Sequence, residues 1–473
     1  MKRFTLILLS ASCLAGSLAG CAVGPTYHRP DAPVEHQFTA ADGWTPASPA
    51  DQIEKGAWWR VYNDAVLDGL EQKVAVNNQN VAAAEATVRQ MQATVAEDRA
   101  ALWPTLGLTF GASRSGGGGT SSSGTTTTTG NRFSAGLDAA WSVDIWGKVR
   151  REVEQARANS DAAKADLANA TLSAQTALAI AYFDLRATEE QQRLLQTTVD
   201  NDQKALTLTQ NQYKAGVAQR SDVLQAQSQL STSQASLADL ALTRGQYVHA
   251  IATLVGTPPD QVDIVAGPLA TTVPVVPTGM PSQLLERRPD IASSERAVAA
   301  ANAEVGISET AFFPTLDLSA SDTASASTLS KLFSAHNSTW SVGADLADTL
   351  IEFGARSAAV KGAKAGYDGA VAKYRETVLE AFQGTEDNLL ALRVLEGEQG
   401  LREQAESQAR QAEQIVLNNY KSGTVAYSSV ITAQNATVTA MISTLNVRKS
   451  RLESSVTLIE DLGGGWDQGD LKK

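Results

Sequence analysis

The chain has 473 residues, of which 51 are acidic and 39 basic, with four histidines and two cysteines. An acidic chain without basic clusters does not suit nucleic acid. Long tracts rich in Ala, Gln, Leu and Thr, with few prolines, argue against several compact cores and for long helices with small faces.

Lys2 and Arg3 precede an apolar run from Phe4 to Leu9, and Leu18-Ala19-Gly20-Cys21 follows. The run is too short to span a bilayer, so residues 1–20 are expected to be a cleaved export signal. The Leu-Ala-Gly-Cys ending resembles a bacterial lipobox, which makes Cys21 the lipid-modified first residue of the mature chain. By analogy with Gram-negative sorting, Ala22 in place of Asp favours the outer membrane. One acyl group binds a membrane weakly, so stable anchoring needs several chains or other membrane contacts. Loss of the signal leaves 37 basic against 51 acidic residues, a formal −14, and Cys21 as the remaining cysteine. No intrachain disulfide and no thiolate for metal or catalysis is expected. No later apolar run is long enough for a transmembrane helix.

Residues 21–60, with Pro25, Pro30, Pro33, Pro46 and Pro49, read as a lipidated tether and equatorial segment ending in a packed patch at Trp58 and Trp59. A first repeat is expected over 61–256 and a second over 282–463, separated by a Pro-rich segment at 257–281 and followed by a tail at 464–473. Asn80-Val81-Ala82-Ala83-Ala84-Glu85 and Asp290-Ile291-Ala292-Ser293-Ser294-Glu295 lie 210 residues apart. Asn80 and Asp290 are expected to be the N-caps of two equivalent helices. Each helix stops at a proline, in Trp103-Pro104-Thr105-Leu106 and Phe313-Pro314-Thr315-Leu316, because proline donates no amide and disfavours helix before it.

After each proline the apolar period changes to two. Leu106, Leu108, Phe110 and Ala112, then Phe133, Ala135, Leu137, Ala139, Trp141, Val143 and Ile145, share one face; Arg132, Ser134, Gly136, Asp138, Ser142 and Asp144 share the other. The second copy has Leu316, Leu318 and Ala320, then Trp340, Val342, Ala344 and Leu346, against Asp317, Ser319, Ser341, Gly343 and Asp345. Two hairpins, 105–145 and 315–349, are expected, with cell-exterior loops at 115–131 and 323–338. The first loop, a Gly/Ser/Thr run, reads as flexible. Such alternation suits either a half-buried soluble hairpin or a membrane barrel strand, and the strand lengths behind an export signal favour the membrane. Four strands cannot close a barrel, and an open edge in lipid leaves amides unpaired, so the barrel has to be shared between chains. Two chains would give eight strands, which barely leave a lumen, and three would give twelve.

Uninterrupted helical sequence runs from Lys148 to about Tyr213 and from Arg220 to about Val255, and again from Arg356 to Tyr420 and Tyr427 to Leu462. The turns between them, Tyr213-Lys214-Ala215-Gly216 and Tyr420-Lys421-Ser422-Gly423, lie 207 residues apart. Each glycine supplies the positive φ that ends a helix. The histidines (His28, His36, His249 and His336) are scattered, and no nucleophile elbow, phosphate loop or His-Glu-x-x-His run is present. No enzyme, no metal site and no cofactor beyond a covalent lipid at Cys21 is expected.

Three motifs carry a resemblance that covers essentially the whole mature chain. They are Leu284-Leu285-Glu286-Arg287-Arg288-Pro289-Asp290-Ile291, Trp141-Ser142-Val143-Asp144-Ile145-Trp146-Gly147-Lys148, and the paired Tyr-Lys-x-Gly turns. With the lipobox, they resemble the outer-membrane efflux factors, TolC-like channels of the OprM/NodT lipoprotein branch. Arg288, Pro289 and Asp290 match that branch's signature. The resemblance implies a mixed α/β membrane protein of mainly long α-helices forming a shared periplasmic α-barrel. Four β-strands per chain would complete a 12-stranded trimeric outer-membrane β-barrel. It further implies a homotrimer anchored in outer-membrane lipid and extending into the periplasm. The turns would meet a periplasmic membrane-fusion adaptor coupled to an inner-membrane pump, most naturally of the RND type. The chain itself would be a passive gated duct for drugs or other small molecules. A one-step protein-secretion channel and a non-channel adhesive trimer are the alternatives. Tyr213, Gly216, Ser221, Asp222, Tyr420 and Gly423 would form the periplasmic gate and tip, with the stronger gate candidate in the first copy. Where relatives often carry a basic residue and acids in the second copy, this chain has Val425, Ser429 and Thr432, so Arg220 or Lys421 would have to partner Asp222. Asp222 could equally serve the dipole of its own helix.

Overall fold

A computed structural model describes residues 22–33, 57–121, 124–274, 287–334 and 337–466. The chain divides into two compact units, Met1–Asp31 with Val88–Ala162 and Ser294–Tyr374, and Ala32–Thr87 with Ala163–Ser293 and Arg375–Lys473. Its elements are α1 (Ala65–Asn77), α2 (Gln79–Ala100), β1 (Thr105–Ser121), β2 (Gly124–Val143), α3 (Lys148–Lys214), α4 (Arg220–Leu254), α5 (Pro289–Thr310), β3 (Thr315–Ala326), β4 (Ser338–Ala347), α6 (Ala355–Lys421) and α7 (Tyr427–Asp461). At about 1.5 Å per residue, the 67 residues each of α3 and α6 reach roughly 100 Å. Their ends lie within one residue of those expected from the sequence.

In the first unit the four strands form one antiparallel sheet in sequence order, β1-β2-β3-β4. Leu108 pairs with Leu137, Phe110 with Ala135, Trp141 with Leu318, and Ala320 with Val342, so the apolar alternates of all four strands share a face. The expected flexible loop at 115–131 is corrected. Ser115 through Ser121 pair with Gly130 back through Gly124, and the Gly/Ser/Thr run is a paired ribbon continuing β1 and β2. Backbone hydrogen bonds need no apolar side chain, and periodicity cannot register them here. The second loop is shorter than expected, because β3 continues to Ala326 and a short helical turn occupies Leu329–Lys331. Asp144 does not extend the polar face of β2. Its carboxylate accepts from the backbone amides of Val149 and Arg150 and from the Arg150 side chain, and so caps α3.

The same unit holds residues 22–31 of the N-terminal segment. Val23 donates its amide to the Trp146 carbonyl, and Arg151 donates to the carbonyls of Val23 and Gly24. Asn302 donates to the Pro25 carbonyl, and the Tyr27 hydroxyl donates to the buried Glu295 carboxylate. Gly24 and Gly306 face each other so closely that a Cβ on Gly24 would sit 2.4 Å from the Gly306 Cα. Residues 23–27 of the segment expected to be a tether are therefore fixed against α3 and α5. Cys21 lies outside the described residues.

In the second unit α1 is a helix that the sequence reading did not resolve. Asp64 caps it, accepting from the amides of Val66 and Leu67, and Leu67, Leu70 and Val74 bury one face. Trp58 and Trp59 are buried, donating their indole N–H groups to Gln175 and Asp68. The expected N-cap at Asn80 is corrected to Asn78, whose Oδ1 accepts from the amides of Asn80 and Val81. Two asparagines stand two residues apart, and the end of α1 at Asn77 decides between them. Asp290 is likewise not the cap of α5, since Pro289 is the first helical residue and Asp290 lies in the first turn.

Asn78 also donates its side-chain amide to the Leu254 carbonyl at the end of α4. Asn78→Ala should therefore cost about 1–2 kcal/mol, as the loss of a good N-cap does. The change is read as a lower denaturant midpoint of helical unfolding in detergent. An unchanged midpoint would remove Asn78 from this role.

Candidate functional site

The sheet presents an apolar face that nothing among the described residues covers. Leu106, Leu108, Phe110, Leu137, Trp340, Val342 and Leu346 are all exposed. Exposed aliphatic and aromatic rows of this extent mark an interaction surface rather than a solvated wall. β2 pairs with β3 over Phe133–Val143. At about 3.3 Å per residue and a tilt of about 40°, those residues span roughly 28 Å, close to the apolar band of a membrane barrel. One carboxylate, Asp322, falls on the apolar face opposite Leu137 and Trp340, and accepts from the Ser338 hydroxyl at 2.6 Å. The opposite face carries Asp138, Ser142, Asp317, Ser319, Ser321 and Asp345. Ser142 donates to Asp317 at 2.6 Å, and Asp317 stands directly opposite Asp345. Such a face suits water. Below the strands Trp146 stacks on Phe313 at 4.8 Å, and Trp103, Leu350, Ile351 and Phe353 are exposed. Among the described residues no helix is long and apolar enough to cross a membrane, so within them the sheet is the membrane candidate.

The two turns have one backbone and two different surroundings. Gly216 at φ +73° and Gly423 at φ +78° close equivalent helix ends. In the first, Gly216 donates to the Tyr213 carbonyl and Val217 to that of Gln212; in the second, Gly423 donates to Tyr420 and Thr424 to Asn419. The equivalent tyrosines then diverge. Tyr213 is 47% exposed, whereas Tyr420 is 8% exposed and donates its hydroxyl to Gln212 Oε1 at 2.6 Å. Tyr420 also packs on Tyr427 at 5.3 Å, in a core with Val199, Leu206, Ala226, Leu230 and Val430. Tyr420 thus ties the end of α6 to α3, and Tyr213 ties nothing equivalent. Asp222 accepts from the Gln219 amide while the Gln219 side chain answers it, a capping box at the start of α4. The Ser221 hydroxyl donates to Gln219 Oε1. Among the described residues no ion pair joins Asp222 to Arg220 or Lys421, so within the chain Asp222 serves its own helix.

Arg288, Pro289 and Asp290 form a clasp. Arg288 donates through Nε and Nη2 to the two carboxylate oxygens of Asp290, and through Nη1 to both the carbonyl and the carboxylate of Asp461. The start of α5 is thereby tied to the end of α7. Burial pushes the Asp461 carboxyl above its usual range, against the pull of Arg288 and of Asn388. A second clasp was not anticipated from the sequence. Buried Glu189 receives Arg186 at 2.7 Å and Arg244 at 2.8 Å. Arg186 also donates to the Val265 carbonyl, Arg244 to that of Ile264, and the Gly267 amide donates to Glu189. This holds the described part of the Pro-rich segment against α3 and α4. The i,i+3 spacing of Arg186 and Glu189 is visible in sequence, but its burial depends on Arg244 and on residues 264–267.

Nothing in these surroundings assembles a nucleophile, a base and an oxyanion cradle. Among the described residues no group of His, Cys, Asp and Glu could hold a metal ion. A groove of about 430 Å³ between α6 and α7 is lined by Arg402, Ala405, Asn435, Ala436, Thr439, Ala440 and Ser443, small or polar side chains without a titratable pair.

The unequal tyrosines give a direct expectation. Tyr420→Ala should destabilise the helical unit by about 3–5 kcal/mol, as loss of a buried aromatic does. Tyr213→Ala should stay within about 0.5 kcal/mol. Equal denaturant midpoints for the two variants would contradict the assignment of Tyr420 as the tie.

Comparison with known proteins places these features among relatives. The model of the family described as outer membrane efflux protein matches residues 70–257 and 280–464. The chain is 32% identical to the pyoverdine export outer membrane protein OpmQ of Pseudomonas aeruginosa, over 98% of each chain. It is 28% identical to the probable outer membrane lipoprotein SilC of Salmonella typhimurium, over 98% of this chain and 99% of that one. Among solved structures, the outer-membrane channel OprN superposes with a TM-score of 0.85 at 28% identity, covering 94% of this chain and all of the other.

Proposed function

The chain belongs to the outer membrane efflux protein family, and we propose that it is the passive outer-membrane duct of a tripartite exporter of drugs or other small molecules. The family consists of outer-membrane channels and not of enzymes, and the fold is that of those channels, long helices with a four-stranded sheet. The observation that carries the finer reading is the sheet, apolar on one exposed face, polar on the other and open at both edges. In lipid the edge strands β1 and β4 need partners, because every unpaired amide there costs several kcal/mol. A second and a third copy supply them, so the duct is a homotrimer with twelve strands. Small residues along α3, α4, α6 and α7 suit close packing of helices from the same three copies into a periplasmic barrel.

The turns at Gly216 and Gly423 are the ends that meet a periplasmic membrane-fusion adaptor, which joins the duct to an inner-membrane pump, most naturally of the RND type. Exposed Tyr213 and Ser221 and half-buried Asp222 are the polar set available in the first turn. The buried Tyr420 holds the second turn in place. Energy is supplied by the pump, since nothing in the chain resembles a nucleotide or proton-driven motor. Cys21 carries the lipid. Two observations support this: Ala22 lies against Gly147 at the junction of β2 and α3, beside the aromatic rim of the sheet, and the name of SilC says lipoprotein.

Deleting the gene should raise accumulation of a dye or drug substrate in the cell and leave secreted protein unchanged. Unchanged accumulation with lost protein secretion would replace efflux by a one-step secretion channel. Cys21→Ser should abolish palmitate labelling; labelling that persists in that variant would refute the lipid site.

A further inference from the structure

Above the two turns the packed helices contain a carboxylate that the duct does not need. Asp202 on α3 is 1% exposed, within two turns of Val199 and Leu206 of the apolar core. Its Oδ2 accepts from the Ser233 hydroxyl of α4 at 2.7 Å, and Gln229 of α4 also reaches the carboxylate. Its Oδ1 is buried without a hydrogen-bond partner. On α7 two further buried polar atoms lack partners, Tyr427 Oη and Gln434 Oε1, seven residues apart and so on one helix face. The titratable groups facing Asp202 are Glu413 of α6, which opposes its negative charge, and Tyr427 of α7, which is neutral beside it. α4 presents only Ser233 and Gln229 to it. No cation is among these neighbours.

We propose that Asp202 is a proton-sensitive joint of the helix bundle above the turns, packed when protonated and loosened when ionised. A half-satisfied buried network is the costliest kind. Here Asp202 Oδ1 is a buried acceptor with no donor. A proton on Oδ1 converts one acceptor into a donor and removes the buried charge in the same step. Ionisation leaves a buried negative charge on the face of α3 that carries Val199 and Leu206, with Ser233 as the principal compensation.

The sign follows from the direction of the shift. Burial holds the Asp202 carboxyl above the usual carboxylate range, with Ser233 and Gln229 pulling it back and Glu413 adding to the rise. The raised value means that the packed state gains its full support below the ordinary carboxylate range and loses it as pH rises through the raised pKa. Acid tightens the bundle, and rising pH relaxes it. Tyr427, pushed up to about 12 by burial and by Asp202, stays protonated throughout.

The test uses hydrogen exchange of the purified full chain in detergent, comparing variants at the same pH so that intrinsic exchange cancels. Asp202→Asn carries a neutral amide at all pH values. It should match the wild type in acid and become several-fold more protected than it over 199–209 and 427–434 as pH approaches neutral. Ser233→Ala removes the hydroxyl that supports the ionised form, and should move the wild-type loss of protection to higher pH. A difference between Asp202→Asn and wild type that does not change with pH would overturn the proposal, as would an unmoved midpoint in Ser233→Ala. The readout is local to the helices and is independent of whether the chain is a duct.

Discussion

Four antiparallel strands leave two edges, and the edges govern the rest of this protein. Each interior strand satisfies its amides on both sides, whereas β1 and β4 have one unpaired side each. Water would tolerate this, and a hydrocarbon environment does not. The apolar face, uncovered by any other described part of the chain, removes water as the environment of these edges. A sheet with that face and those edges is unfinished alone. The lipid site proposed at Cys21, the aromatic rim at Trp146 and Phe313, and the reading of the molecule as a shared duct all follow from it.

The helical unit answers a different constraint, that of holding very long helices in register when their faces are largely small residues. Alanine-rich contacts bury little area per residue, so specific ties matter more than in an ordinary core. The ties are polar and spaced along the helices. Arg288 fastens α5 to the end of α7, Glu189 gathers two arginines and the crossing segment, Lys449 pairs with Asp184, and Tyr420 reaches Gln212 near the turn. Buried ion pairs contribute geometry more dependably than net stability. Their value here is to fix which residues of neighbouring helices stand level with one another, and hence where the two turns end.

Much of this was legible from the residues alone, for physical reasons that can be named. The long helices and their turns were placed to within a residue, because Gly216 and Gly423 must take a positive φ and Pro104 and Pro314 stop helices before strands. The alternation of Leu106, Leu108 and Phe110 gave the strand faces directly. Short-range competition was harder. Asn78 displaced Asn80 as a cap because α1 ends one residue before it, and Asp144 left its strand to cap α3. The pairing of Ser115–Ser121 with Gly124–Gly130 was invisible to any apolar pattern because backbone hydrogen bonds need no apolar side chain. Arg288 and Asp290 stood out as a motif and Arg186 and Glu189 as an i,i+3 pair, but their partners Asp461 and Arg244 did not, and neither did Asp202. Arg244 and Glu189 are 55 residues apart, and Asp202 and Ser233 are 31 apart. Only the packed helices show that these carboxylates are buried. The equivalence of the two turns was right for their backbones and misleading for their side chains, since Tyr420 became a core residue and Tyr213 did not.

The central claim is that the sheet is completed by other copies of the same chain. Native mass spectrometry of the protein extracted from outer membranes in mild detergent measures this directly. A shared twelve-stranded barrel predicts a particle with the mass of three chains plus their lipids, and conductance in a planar bilayer from that particle alone. A stable one-chain or two-chain particle that conducts would contradict it.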